Sequence, residues 1–343
     1  MSGVDAVEPD RQMATIVKVT SIEPIVGADR IVLAKILGWQ CVVKKGDFNV
    51  GDMAIYFSID SILDPADPNM NFLEGKRLKT IKLRGVLSQG LLAPLKWLVD
   101  RGHAIDALAE GDNVTSLLGV TKYVSSDEIG QYMKSDVVYD DRTKFPEFIR
   151  KTDEPRLQNM TRLLDGLKDG PFIVTRKEDG QSGTFYLNND HFGICTRQFE
   201  WLQNVPSASV LFSIVAKYQI EDILRKYGKN IAIQGEVIGP KINGNKLNIP
   251  GHVFKVFNIW DIESQRYLDW GDVKTFCADT GLLTVPELTW TSSDITLDTF
   301  LAFADSIEYD KGEPAEGIVV KTDGWPRVSF KVISNKFLLK HDK

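Results

Sequence analysis

From Thr15 to about Leu118 the chain is written in short apolar alternations, ATIVKVTSI, RIVLAKILGWQCVV and DMAIYFSI among them, broken by Gly, Asp and Pro at close intervals. Nothing else in the sequence restricts the fold as much. A period of two sends one side of an extended strand into a core and the other into solvent, and no helical period appears before about residue 95. A small closed or nearly closed β-barrel is therefore expected at the front of the chain.

The OB-fold is one natural candidate for that barrel. Within it, GKRLKTIKLRG places Lys76, Arg77, Lys79, Lys82 and Arg84 within nine residues. Lysines on a solvated edge strand guard against edge pairing; the same cluster equally suits a phosphate track for nucleic acid. The chain as a whole carries 41 Lys and Arg against 47 Asp and Glu, a net charge of −6. That balance argues against a protein coated in positive charge and leaves room for a local basic track.

A length of 343 residues suits about two domains. Residues 121–147 lose the alternation and gain charge, which marks a linker between a barrel domain at 10–120 and a second domain at 148–343. The second domain opens with an expected helix, RLQNMTRLLDGLKDG, and continues in strand text, PFIVTRKEDGQSGTFYL and HFGICTR. A helical stretch, SVLFSIVAKYQIEDILRKYG, stops at Gly228. Strands (NIAIQGEVIGP, HVFKVFNIWDI, EGIVVKT, RVSFKVI) and helices (WGDVKTFCADTG, LDTFLAFADS) then mix, so the class is α+β.

No apolar run approaches the ~18 residues of a membrane span, and MSGVDAVEPDRQ lacks a signal-peptide layout, so an intracellular protein is expected. Cys41, Cys195 and Cys277 are far apart with no CxxC pair and read as small buried thiols. His103, His191, His252 and His341 show no zinc or hydrolase spacing. Any chemistry must rest on Lys, Arg, Asp and Glu.

Lys177 follows the apolar run FIVT and precedes Asp179-Gly180, where a strand gives way to a turn. A lysine there points into a cleft, while the glycine lets backbone approach a ligand. KxDG alone recurs by chance, and an exposed turn lysine is its plainest reading. Residues later in the chain change the balance. Glu236 ends an apolar strand in IQGEVIGP, Phe257 and Trp260 lie in VFKVFNIWDI, Glu316 opens a buried strand in AEGIVVK, and Lys331 sits inside RVSFKVI. Each has a structural explanation, a strand lysine most often snorkelling. Together they describe lysines for phosphates, carboxylates for a ribose or hydrated metal, and aromatics for a base.

That series, KxDG, GE, an aromatic-rich strand, EG(I/V)VVK and a late strand lysine, resembles nucleotidyltransferase motifs I, III, IIIa, IV and V of polynucleotide ligases and mRNA capping enzymes. DNA ligases and capping enzymes place an OB domain after motif V, whereas here 12 residues follow Lys331 and the barrel lies in front. With PIVGADRI, GWQCVVKKGDFNVGD and RGVLSQGLLAPL in the barrel, KTDEPRLQN upstream of KEDG, and SFKVISNKFLLK at the end, the chain from about residue 13 to 341 looks like the Deinococcus- and Naegleria-type RNA ligases, RNA ligase family 5.

The resemblance implies an N-terminal OB-fold followed by a ligase-type nucleotidyltransferase domain, and an ATP-dependent RNA ligase activity. Lys177 would attack the α-phosphate of ATP to form a lysyl-AMP, which requires the neutral amine of a group whose ordinary pKa is ~10.4. Its surroundings are expected to depress that value through cationic neighbours and a metal ion. Lys331 would contact the α-phosphate; Asp179, Glu236 and Glu316 would hold Mg²⁺ or Mn²⁺ through its waters, with Glu236 equally able to bind the ribose.

Phe257 would stack on adenine, with Phe254 the other register, and Arg156 and Arg197 would contact phosphates or ribose. Motif V often reads KxK, but Val332 and Ile333 follow Lys331 here, leaving Lys336 as a weak substitute. AMP would pass to an RNA 5′-phosphate and a 3′-hydroxyl would then seal the strand. The substrate expected is RNA, or an RNA-containing duplex with a nick or break; the basic cluster would hold it, and a monomer is expected. Two alternatives stand beside this reading. One is a GTP-specific capping-type guanylyltransferase, disfavoured by the chain's end soon after motif V. The other is a non-catalytic OB-fold nucleic-acid-binding protein, disfavoured by the intact charges of the pocket.

Overall fold

The first alternation becomes an 11-residue strand, β1 (Ala14–Pro24). In the computed structural model, which describes residues 12–123, 139–168, 170–324 and 326–341, this strand changes partner along its length. Its first half, Ala14 to Lys18, pairs with β4 (Met53–Phe57), and its second half, Val19 to Pro24, pairs with β2 (Ile31–Ile36) across an irregularity between Val19 and Ser21. A bulge of this kind bends a strand and sharpens its twist. With β3 (Trp39–Lys44) and β8 (Leu91–Pro94) the sheet runs β3-β2-β1-β4-β8. Met13, Ile16, Ile55, Phe57, Leu63 and Val114 fill its core.

Smaller elements complete this unit. β5 (Ser61–Ile62) pairs with β9 (Thr121–Lys122), and β6 (Thr80–Leu83) with β7 (Val86–Gln89). A short helix, α1 (Lys96–Asp100), follows β8. The chain divides into two compact units, and Gln158–Thr161 groups with the first.

That grouping explains a departure from expectation: RLQNMTRLLDGLKDG does not form an α-helix. It forms two 3₁₀ stretches, Leu157–Asn159 and Thr161–Leu167. The Gln158 carbonyl accepts from the Gly38 amide, and Asn159 Oδ1 accepts from the Trp39 indole at 2.6 Å. These two bonds tie the segment to the β2–β3 turn and favour the tight turns over a regular helix.

The second unit is built on two sheets. The larger has eight strands in the order β10-β14-β13-β12-β15-β16-β17, with β18 parallel to β16. Its strands are β10 (Arg142–Lys144), β12 (Gln181–Asn188), β13 (His191–Cys195), β14 (Phe199–Trp201), β15 (Ile231–Ile238), β16 (Val253–Asp261), β17 (Arg266–Tyr267) and β18 (Leu283–Thr284). The smaller runs β19-β11-β20-β21, from β11 (Phe172–Lys177), β19 (Glu287–Leu288), β20 (Gly317–Thr322) and β21 (Ser329–Ile333). Of the expected linker at 121–147, residues 124–138 lie outside the described residues, while Thr121–Lys122 and Arg142–Lys144 are strands.

Helices cover the outer faces. The long helical text before Gly228 is two helices, α2 (Ser209–Tyr218) and α3 (Ile220–Tyr227), because Gln219 adopts a left-handed φ of 52°. Together with α4 (Trp270–Thr280) they bury Leu211, Ile214, Leu224, Val273 and Phe276 against Phe185, Ile233 and Phe254 of the larger sheet. α5 (Leu297–Ser306), capped by Thr296, packs Phe300 and Ala304 on Ile318, Val320, Phe330 and Val332 of the smaller sheet. α6 (Asn335–His341) follows. Each buried large apolar side chain contributes roughly 1.5–3 kcal/mol.

Candidate active site

β11 and β20 end together. Lys177 faces Gly317 as the last pair of their ladder, and Glu316 lies just beyond it. Lys177 Nζ donates to Glu316 Oε2 at 2.6 Å. The motif glycines explain why the backbone arrives there. Gly317 has φ +149°, and a Cβ on it would stand 2.0 Å from the Val332 carbonyl oxygen. A Cβ on Gly180 would stand 2.4 Å from the Val237 carbonyl oxygen, so the KEDG turn presses onto β15 directly beside Glu236. No side chain other than hydrogen fits either place.

Asp179, Glu236 and Glu316 thus surround Lys177 closely enough for their charges to act on it. Burial alone would lower the lysine's pKa, but the three carboxylates outweigh it and hold the ammonium above its ordinary value. The protein's own groups thus favour the ammonium, and the expected depression falls to a metal ion. Burial pushes the Glu236 carboxyl up to about 8, with Lys177 and Arg197 opposing and the other carboxylates adding to the rise. Burial also raises Glu316. Negative charge is in excess, and an amine is freed only when that excess is countered.

The donors suit a hard cation: three carboxylates with no nitrogen or sulfur ligand. Among the described residues no group of three or more His, Cys, Asp or Glu side chains is placed to hold a metal ion directly. Asp179 is already engaged by Lys246 Nζ and, at 2.8 Å, by Asn243 Nδ2. Oxygen donors of this kind suit Mg²⁺ or Mn²⁺, and an ion that keeps its waters needs no direct cage of three carboxylates.

Lys331 stands on the same face of the smaller sheet as Lys177, since Lys331 faces Val319 and Val319 faces Thr175. Its Nζ donates to Asp153 Oδ1 at 2.8 Å, and its amide to the Pro155 carbonyl at 2.8 Å, which brings Arg156 alongside. Burial lowers its pKa, Asp153 opposes, and the charges of Lys177 and Arg156 lower it further. Arg197 lies in the turn between β13 and β14, close enough to pull on Glu236.

The strand that was expected to offer an aromatic face is resolved by parity. Phe254 is sealed in the core, edge-on to Phe185 at 5.0 Å. Trp260 is buried as well, its indole donating to the Phe148 carbonyl. Phe257 is only partly buried, on the face that also carries Lys255. Lys255 donates at 2.8 Å to the buried Glu178, just past the end of β11, and Lys321 Nζ reaches back from β20 to the Phe257 carbonyl at 2.6 Å. At the second motif V position Ile333 is buried, and Lys336 is exposed on α6.

The basic cluster divides. Arg77 is held by Asp60 at 2.6 Å and stacks on Tyr123, and Lys76 pairs with Glu74. Lys82 and Arg84 are exposed on the β6–β7 hairpin, whose Arg84-Gly85 turn has both φ values positive, as a two-residue hairpin of this kind requires. Sequence reasoning did not single out Asp153, Tyr309, Lys246 or Asn243. The asparagine-rich NGNK loop carries only a turn signal, and a phenol far along the chain carries none.

A family model described as RNA ligase matches residues 170–333, and one described as an OB-fold domain matches residues 13–95. No curated protein matches the chain in a sequence search. Among solved structures, a variant of the Naegleria gruberi RNA ligase with ATP and Mn superposes at a TM-score of 0.84 with 33% identity, covering 96% of this chain and 99% of that one. The same ligase with PPi gives a TM-score of 0.83 with 33% identity, and a variant with AMP and Mn gives 0.84 with 33% identity; each alignment covers 97% of this chain and 99% of the other. An OB-fold followed by a domain that gathers lysines and carboxylates at shared strand ends, with that identity over nearly the whole length, leads to one conclusion: the chain belongs to the RNA ligase family.

Proposed function

We propose that this ATP-dependent RNA ligase joins a 3′-hydroxyl to a 5′-phosphate through a covalent AMP on Lys177 and an AppRNA intermediate. The observation that carries the reading is the placement of Lys177 among Glu316, Glu236 and Asp179, with Lys331 on the same sheet face. The relatives' complexes with ATP and Mn, AMP and Mn, and PPi support the substrate and the metal.

Lys177 Nζ attacks the α-phosphorus; a P–N bond forms, the bond to the bridging oxygen of the β-phosphate breaks, and pyrophosphate leaves. Lys331, Arg156 and Arg197 stabilise charge on the phosphates. Phe257 stacks on adenine, the only one of the three candidate aromatics in its strand that is not sealed in the core. Asp179, Glu236 and Glu316 would hold Mg²⁺ or Mn²⁺, which when bound would supply positive charge to favour the neutral lysine amine and offset the phosphates. Glu236 also serves the ribose.

The barrel domain comes first and the adenylyltransferase domain second, with the expected bounds of the linker drawn in, because Thr121–Lys122 pairs within the first unit and Arg142–Lys144 within the larger sheet of the second. Lys79, Lys82 and Arg84 mark the barrel's nucleic-acid face, while Lys76 and Arg77 of the same cluster are engaged by Glu74 and Asp60. The ligase works as a monomer, inside the cell where ATP is available, on RNA or RNA-containing duplexes with a nick or break. Among the described residues no helix is long and apolar enough to cross a membrane.

The test is incubation with α-labelled ATP or GTP and Mg²⁺ or Mn²⁺, followed by denaturation. Label from ATP is expected. Label from GTP alone would favour the capping-type alternative, and label from neither would overturn the enzyme reading.

A further inference from the structure

The Tyr309 hydroxyl touches the backbone of three site residues at once. It donates to the Lys177 carbonyl at 2.9 Å and accepts from the Asp179 amide at 3.1 Å and the Glu316 amide at 3.2 Å. A phenol has one hydrogen to donate and accepts through its oxygen lone pairs. All three contacts gather at the end of the β11–β20 ladder, whose last pair is Lys177 and Gly317, so the Asp179 and Glu316 amides lie past it.

The ring is itself fixed. Tyr309 is 5% exposed and clusters with Ile238, Leu247 and Ala315. The Arg176 guanidinium lies 5.0 Å from its ring centre, and Arg176 in turn is held by Glu178. The backbone carrying Tyr309 is pinned by its amide to the Glu313 carbonyl and by the Ala315 amide to the Ile307 carbonyl.

We propose that Tyr309 is a positioning residue for lysine adenylylation, its hydroxyl locking Lys177, Asp179 and Glu316 in one register at the mouth of the strand pair. It touches no substrate. It sets where the nucleophile and the two carboxylates stand relative to one another, and reactions that depend on such alignment lose rate steeply when a group shifts by about 1 Å. The inference rests on the reading of Lys177 as the nucleophile.

Tyr309→Phe removes one oxygen and keeps the ring. Water entering the vacated space would solvate the three backbone groups without holding them in register. In the full-length protein, the rate constant for lysyl-AMP formation at saturating ATP is expected to fall on the order of 100-fold. The KM for ATP should stay within about threefold of the parent, with one cooperative melting transition retained. A rate within about threefold of the parent overturns the proposal. So does a parallel collapse of rate, KM and melting temperature, which would make the hydroxyl merely structural. If Tyr309→Phe does not fold, Tyr309→His, which keeps a polar ring, is judged by the same criteria. A parent protein that takes no label overturns the reading of Lys177 itself; a labelled parent with an unimpaired Tyr309→Phe overturns only the role of Tyr309.

Discussion

Lys177 Nζ and Glu316 Oε2 lie 2.6 Å apart across the end of one strand pair, although 139 positions separate them in the chain. The pair ties the proposed nucleophile to a proposed carboxylate of the metal site. The carboxylate favours the ammonium form of the lysine, with Glu236 and Asp179 adding to the hold of Glu316.

Lys177→Ala is expected to abolish label transfer from ATP and yet to seal an RNA end supplied already adenylylated, because only the first step needs the amine. Gel analysis of both reactions checks this. A variant that still forms the covalent adenylate would displace the nucleophile to another residue.

Gly317→Ala should damage fold and site together. Its Cβ would stand 2.0 Å from the Val332 carbonyl in a backbone region of φ +149°. A loss of about 2–4 kcal/mol is expected by denaturant titration, with self-adenylylation lost because Glu316 moves with the strand end.

Neutralising Lys79, Lys82 and Arg84 together should leave self-adenylylation intact and weaken sealing in a salt-sensitive way. Arg77→Gln should instead lower the melting temperature, since that guanidinium holds Asp60 and stacks on Tyr123. Sealing that stays unchanged at every salt concentration would return the hairpin to simple edge protection.

Lys321 supplies a pH dependence. Burial first, and then Arg327, bring its pKa down to about 7. An unfolded lysine holds its proton up to about 10.4, so between these values the unfolded chain binds more protons and this residue's contribution to stability rises with pH. The slope is at most about 1.4 kcal/mol per pH unit. Relative to Lys321→Met, the parent should therefore gain stability from pH 7 to 9 in chemical denaturation. A gap that does not change with pH would mean that Lys321 keeps its charge when folded.

Much of the fold and the site was legible in the residues alone. Alternating apolar residues produced β1 through β4, and Gly228 ended a helix, because strand period and left-handed caps are local matters. KEDG, GE, EGIVVK and RVSFKVI named the chemistry. Phe254 and Phe257 could not be separated, since a slip of one position exchanges the two faces of a strand. The 3₁₀ character of Leu157–Asn159 was hidden too, because its partners, the Gly38 amide and the Trp39 indole, lie more than a hundred residues earlier.

The sequence by itself determined the class of residues available to the site and the order in which the chain delivers them. Only the tertiary structure decided that Lys177, Asp179, Glu236 and Glu316 meet, that Lys331 leans on Asp153, and that the hydroxyl of Tyr309 holds three of their backbones. The reason is register. Residue type is written position by position, but which strand ends coincide depends on ladders between segments more than a hundred residues apart, and on glycines such as Gly180 and Gly317 that let those ladders close.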